Sequence, residues 1–419
     1  MCNGTIMDKL ISFSIPLMLS GILQLMFNAV DIVVVGRFSG SQALAAVGST
    51  TALINVFTNL FIGISLGANV LAARYYAAGK TKEMSETVHT AIALALVSGV
   101  AMAVIGVVFA RGALEIMGTP DDVIAKSTLY MRIYFCGMPF FMMYNYGAAI
   151  LRAVGDTKRP LIFLIVSGVI NAVLNLFLVI GFHLDVAGVG IATVISQLVS
   201  CILVLRCLHH TESSYQLHLA KLRIRSVYLK QIFEVGVPAG IQSTVINISN
   251  AMLQSSVNSF GSIAMAGYTA SNNIFGFLYV SVNSFTQACM SFTSQNYGVK
   301  KLKRMDRVLI DCMILSVVVT LILGSSVYIF GPELLHIYSN QADVIKYGME
   351  IFSYTTVTYF LCGLMDLFPG ALRGMGYSTV PMILSIIGTV GVRIIWIYGL
   401  FPLHRSLTFL FLSYPVSWI

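Results

Sequence analysis

The segment 151–160, Leu-Arg-Ala-Val-Gly-Asp-Thr-Lys-Arg-Pro, returns 221 positions later as 372–381, Leu-Arg-Gly-Met-Gly-Tyr-Ser-Thr-Val-Pro. A repeat at about half the chain length, set in apolar sequence, implies a duplicated membrane protein whose two halves enclose a central site. A second match strengthens the duplication. Gln42-Ala43-Leu44-Ala45-Ala46 resembles Ser262-Ile263-Ala264-Met265-Ala266, Gly79-Lys80 falls near Gly298-Val299-Lys300, and Pro16 pairs with Pro238. Within the decapeptide the glycines Gly155 and Gly376 read as helix ends, and Pro160 and Pro381 as the next helix starts.

With 57% hydrophobic residues, 10% charged residues and a mean hydropathy of +0.85, the 419-residue chain has too little polar surface to coat a water-soluble globule. Apolar runs of about 20 residues recur without strand-like alternation, so the expected fold is an all-α integral membrane protein and not a barrel. The spans fall near 12–36, 44–75, 87–110, 122–151, 160–182 and 188–208, then 228–258, 263–296, 305–330, 344–373, 379–400 and from 406. That gives twelve transmembrane helices in two six-helix lobes, 1–208 and 228–419, joined by a cytoplasmic linker at 209–227. The last span is short and looks truncated at Ile419. Six is even, so the lobes are parallel repeats.

The net charge of +8 raises nucleic acid as a partner, but its placement points to topology instead. Turns after even-numbered spans hold Arg74, Lys80, Lys82, Arg152, Lys158, Arg159, Arg206, Lys221, Arg223, Arg225, Lys230, Lys300, Lys301, Lys303, Arg304, Arg307 and Arg373. The opposite turns hold only Arg37, Arg111, Lys126, Lys346 and Arg405. The positive-inside tendency therefore puts both termini in the cytoplasm of a plasma or inner membrane protein. The seven cysteines are scattered and read as free thiols. Span 1 is too long for a signal peptide and is expected to be retained.

Charges inside a membrane cost about 2.5–3.5 kcal/mol each on insertion scales, so intramembrane acids are candidates for function. Two stand out: Asp31 toward the outer end of span 1 and Asp366 in span 10, with Arg373 seven residues further on the same face. An interfacial place near the helix end is the alternative for Asp31. Arg393 in span 11 is a third buried charge, expected to pair with a carboxylate or with helix-end carbonyls. Span 1 carries Ser20, Gln24, Asn28 and Asp31 on one face. Span 7 does the same with Ser243, Asn247, Asn250, Gln254 and Asn258, span 2 offers Thr51, Asn55 and Asn59, and span 8 offers Asn283 and Gln287. A single amide reads as interhelical glue, but stripes on several helices together favour a wet substrate cavity. In span 5, Asn171 and Asn175 are one turn apart, and Thr193 follows in span 6. With Asp31 they would supply hard oxygen ligands of the kind alkali cations accept.

Gly79-Lys80-Thr81 looks like the end of a phosphate-binding loop, but position 74 is Arg where Gly is needed and the segment follows a membrane helix. No metal-ligand cluster or nucleophile motif appears, so the chain reads as a non-enzyme driven by an ion gradient, without a cofactor and with no metal beyond a possible Na⁺.

Asp31-Ile-Val-Val-Val-Gly36-Arg37-Phe-Ser-Gly40, continuing into Ala43-Leu44-Ala45-Ala46-Val47-Gly48, resembles the signature of the multidrug and toxic compound extrusion (MATE) family. So do Leu151-Arg152 through Gly155-Asp156-Thr157-Lys158 to Pro160, and Leu372-Arg373-Gly374-Met375-Gly376. The similarity covers essentially the whole chain and is nearest the prokaryotic DinF-like branch. It implies a monomeric alternating-access antiporter that exports cationic amphipathic compounds in exchange for H⁺ or Na⁺. Asp31 matches the family's first-helix acid, and Asn171, Asn175 and Thr193 match positions that join it. Where that branch often has Asp, this chain has Asn175, which weakens the case for sodium. The acid found in span 7 of the NorM-like branch has no counterpart here. Pro16 resembles a proline at which the first helix bends, and simple tolerance near a helix start is the plainer reading. A flippase for lipid-linked precursors, known in the same superfamily, is the alternative; its pyrophosphate head asks for strong basic charge, and only Arg393 lies deep.

Overall fold

The computed structural model describes residues 1–419, with the side chains of Ser41 and Ala52 outside the description. The first half comprises α1 (Met7–Phe38), α2 (Ser41–Ala77), α3 (Thr81–Ile116), α4 (Asp121–Cys136), α5 (Met138–Ala153), α6 (Lys158–Asn175) and α7 (Asp185–His209). The second comprises α8 (Ser226–Asn258), α9 (Ser262–Gly298), α10 (Leu302–Ile329), α11 (Gly331–His336), α12 (Ala342–Thr355), α13 (Tyr359–Gly374), α14 (Thr379–Ser385), α15 (Val392–Ile395), α16 (Leu407–Phe411) and α17 (Ser413–Trp418). The described residues contain no strand.

Among the described residues, seven helical segments are each long and apolar enough to cross a bilayer, and α12 with α13 makes an eighth span bent by 54°. The helices α8 and α9, at 33 and 37 residues, are long enough, but their amide stripes dilute their hydropathy. Two spans read as continuous in the sequence are broken. The fourth divides at Gly137, where Pro139 opens α5, because proline suits a helix's first turn and cannot donate into a preceding one. The tenth bends between Thr355 and Tyr359, where Thr355, Thr356 and Thr358 turn their hydroxyls onto carbonyls four residues back. The fifth and eleventh spans widen into π-helical turns at Leu176–Gly181, Ile386–Gly391 and Trp396–Leu400.

The duplication is reproduced at the level of single φ angles. Gly40 and Gly261 stand 221 positions apart with φ of 86° and 98°, and Gly155 and Gly376, equally spaced, have 100° and 97°. These left-handed turns suit glycine, which lacks a Cβ to clash. The third such pair is Gly79, at 68°, with Lys300, at 59°. The second copy thus holds a lysine where the first has glycine, one residue away from the register suggested by the sequence.

Two compact units form, Leu19–Gly240 and Met1–Met18 with Ile241–Ile419. They depart from the division 1–208, 209–227 and 228–419, because the first part of α1 and the first part of α8 are exchanged. Within one unit, Leu10, Phe13 and Leu17 bury against a core with Phe285, Phe292 and Leu367, Phe13 meeting Phe292 edge-on at 5.6 Å. Within the other, Gly236 and Gly240 let α8 run backbone to backbone on α2, where a Cβ on Gly67 would lie 2.1 Å from the Ile232 carbonyl oxygen. Hydrophobic periodicity locates helix ends but carries no signal about which body each half of a helix packs on.

The linker is docked as well as connecting. His89 Nδ1 lies 2.6 Å from the Ser85 carbonyl oxygen, which can only accept, so Nδ1 carries the ring hydrogen. Nε2 is left to accept the His218 backbone N–H at 3.0 Å, and the two imidazoles stack 10° from parallel. Glu86 binds both Arg223 and Arg225, and Leu217 is fully buried. Burial, followed by the nearby Lys221, His89 and His209, holds the His218 imidazole below its ordinary pKa.

Candidate functional site in the N-terminal half

Asp31 ends the polar face of α1, and the span that carries Asn171 and Asn175 brings both amides to it. The two asparagines sit one helical turn apart on α6 and are 5% and 0% exposed. The Asn175 amide nitrogen donates to the Asp31 carboxylate and, at 3.1 Å, to Asn171 Oδ1. The Asn175 amide oxygen is buried and has no hydrogen-bond partner. The cluster therefore pairs a carboxylate with an unspent acceptor oxygen, and both are hard donors. In this arrangement the Asn175 amino group lies where a bridging cation would satisfy the same oxygens. Turning that one amide would replace a donor by an acceptor facing Asp31.

Thr193, expected to join them, spends its hydroxyl on the Val189 carbonyl at 2.9 Å within its own helix. It brings no described hydrogen bond to Asp31. Tyr130 and Tyr134 do lie within electrostatic reach of that acid, one turn apart on α4 with ring centroids at 6.1 Å. Neither was among the residues expected at the site; two tyrosines at i and i+4 inside an apolar span are the signal the sequence offers for them. Along α1 and α2, the side chains of Gln24, Asn28 and Asn55 are exposed. Pro16 lies inside α1, ahead of this stripe.

In the other unit, Asn247 and Gln254 are exposed and Asn250 is half-buried on α8, while Gln287 donates to Asn283 within α9. Asp366 is half-buried and near Tyr279. Arg373, placed by the sequence on the same face, forms no described ion pair with it; the guanidinium turns to the Gln242 amide oxygen, and Gln242 donates onward to Ser385 at 2.9 Å. One helix face is shared, but seven residues put about 10 Å between the groups, and a neutral acceptor stands closer to the arginine. Arg393 also departs from expectation. It is 3% exposed, and among the described residues no carboxylate or helix-end carbonyl pairs with it; it binds Asn250 Oδ1 at 2.7 Å and Ser417 Oγ at 3.1 Å, over the Tyr414 ring at 5.0 Å.

The MatE family profile matches residues 16–177 and 238–398, one copy in each half. The chain is 30% identical over 389 residues to the "Probable multidrug resistance protein YoeA" of Bacillus subtilis (strain 168), covering 91% of this chain and 84% of that protein. It is 21% identical over 401 residues to the "Multidrug export protein MepA" of Staphylococcus aureus (strain MW2), covering 94% and 88%. Among solved structures, it resembles an outward-facing multidrug resistance MATE family transporter of the MOP superfamily with a TM-score of 0.90 at 20% identity, over 99% of this chain and 92% of that one. A MOP superfamily transporter from Pyrococcus furiosus, described as having a binding pocket of reverse polarity, has a TM-score of 0.91 at 21% identity, over 99% and 93%. At those identities the structural likeness speaks for the fold, twelve membrane helices in two lobes. With both halves matched, the chain belongs to the MatE family: it is a MATE transporter, a multi-pass membrane protein and not an enzyme.

Proposed function

We propose that this transporter exports cationic amphipathic compounds across the cell membrane in exchange for H⁺ or Na⁺, by alternating access, with Asp31 as the group that carries the coupling ion. The observation behind this reading is the Asp31, Asn175 and Asn171 cluster, an intramembrane carboxylate beside an unpartnered amide oxygen. An isolated carboxylate in a membrane is costly to keep without a use. Relatives named for multidrug resistance and multidrug export support organic compounds as cargo.

With Asp31 ionised and empty, the Asn175 amino group faces it and neutralises part of its charge. When Asp31 takes a proton from outside, its new O–H needs an acceptor, which Asn175 supplies by turning its oxygen. Sodium would be held by the same oxygen, with Asn171 Oδ1 released to join. Either event breaks the bond between Asn175 and Asn171 within α6 and replaces the hydrogen bond by which Asn175 ties α6 to Asp31 on α1. Substrate would meet the exposed amides Gln24, Asn28, Asn55, Asn247 and Gln254 and the half-buried Asn250, Asn283 and Gln287. Asp366 is the candidate for a second ion. The test is purified protein in liposomes with H⁺ and Na⁺ gradients imposed separately. Accumulation of an organic cation under either gradient is the expected result, and no accumulation under both removes the proposal.

A further inference from the structure

We infer that Arg393 and Asn250 form a receptor for an anionic oxygen group, carboxylate or phosphate, on a transported amphiphile. A guanidinium 3% exposed inside a membrane protein carries a full charge that ordinarily calls for a counter-ion. No described carboxylate pairs with it. Its contacts are an amide oxygen, a hydroxyl and the face of Tyr414, all neutral. Nε is spent on Ser417 and Nη1 on Asn250; Nη2 has no acceptor among the described residues.

The same bond sets the chemistry of the neighbouring stripe. An amide normally offers both signs, but Arg393 takes the Asn250 oxygen. Asn250 is half-buried between the exposed Asn247 and Gln254, and with its oxygen taken by Arg393 the amino group is the end of the amide left to donate. Asn250 Nδ2 and Arg393 Nη2 have no acceptor among the described residues, and the bond between Asn250 Oδ1 and Arg393 Nη1 joins the two groups that carry them; a carboxylate has two oxygens to offer such a pair of donors. The backbone widens on both sides of the arginine, with π-helical turns at Ile386–Gly391 and Trp396–Leu400, and such interruptions recur at functional positions.

This inference rests on the export reading for its substrate class, but its test is a binding measurement. The purified full chain in detergent micelles is titrated with a fluorescent amphipathic amine bearing a terminal carboxylate, and separately with its methyl ester. The acid is expected to bind about tenfold tighter than the ester, a step of one charge-assisted pair. Arg393→Gln should bring the ratio close to one. Asn250→Asp supplies a built-in counter-ion of the same shape, and should also abolish the preference if Arg393→Gln does not fold. Equal affinity for acid and ester in the unmutated chain, or a ratio unchanged in the folded variants, would overturn the site. Loss of the preference when phosphatidylglycerol is added to the micelles would assign the site to a lipid headgroup and overturn the solute reading. A preserved ratio with no gradient-driven flux of either compound in liposomes would remove the export reading and leave the site standing.

Discussion

At the scale of residues, the account turns on what one amide can do. Asn175 has a single donor side, shared between Asp31 and Asn171, and a single unspent oxygen. Asn175→Asp would set two carboxylates side by side, which repel unless a cation or proton lies between them. We expect that variant to shift transport toward dependence on external Na⁺, read as flux in Na⁺ and choline media at one pH. Flux equally independent of Na⁺ in both proteins would mean that this position does not tune ion choice. Lys300 offers a test of stability. Left-handed backbone costs a residue with a Cβ about 1–2 kcal/mol, so Lys300→Gly should raise unfolding stability, by up to about 1 kcal/mol once the freer unfolded chain is allowed for. A lower Tm in the same detergent would contradict it. The neighbourhood of Asp31 and of Asn171 with Asn175 was legible because acids are rare in spans and helical spacing is fixed. The partners of Arg393 were not, since Asn250 and Ser417 are neutral, lie on other helices, and differ in nothing local from any other asparagine or serine. Lys300 shows the same limit: its left-handed turn follows from the duplication and not from its own type.

At the scale of elements, helices were legible from length and hydropathy, whereas their breaks were only partly so. Pro139 announces the division of α4 from α5, but the 54° bend between α12 and α13 falls among threonines, where proline and glycine give no warning. The linker likewise reads as a polar tether, and its docking depends on His89, far away in sequence. This carries a pH prediction. Docking holds the His218 pKa below its ordinary value of 6.5, so the free linker binds a proton more readily than the docked one. Docking strength is therefore full above about pH 6.5 and declines as pH falls. Hydrogen exchange of residues 209–225, corrected for intrinsic rate, should be slow at pH 7.5 and faster at pH 5.5. Equal protection at both values would show that the imidazole contacts do not hold the linker.

At the scale of the whole molecule, duplication gives two units with related turns but different charges inside the spans, a half-buried acid among asparagines in one, and in the other the buried Arg373 and Arg393 on neutral acceptors together with the half-buried Asp366. The exchange of half-helices, α1 into one unit and α8 into the other, was not legible, because packing partners more than 160 residues apart leave no periodic mark. Charge counting supplies a prediction for transport. One proton exchanged for one monovalent cation moves no net charge, so the ~2.3 kcal/mol per charge per 100 mV of membrane potential goes unused. If Asp366 holds a second ion, exchange becomes electrogenic, and flux under an imposed potential with no pH gradient should respond; Asp366→Asn should then abolish that response. An unmutated protein indifferent to potential would remove Asp366 from the coupling scheme.

The most direct measurement is made on Asp31→Asn in proteoliposomes, side by side with the unmutated protein, following both gradient-driven accumulation of an organic cation and its exchange between equal concentrations on the two sides. The account predicts that accumulation disappears while exchange persists, because substrate still crosses but nothing ties it to the ion. Accumulation at the unmutated level in Asp31→Asn would contradict it.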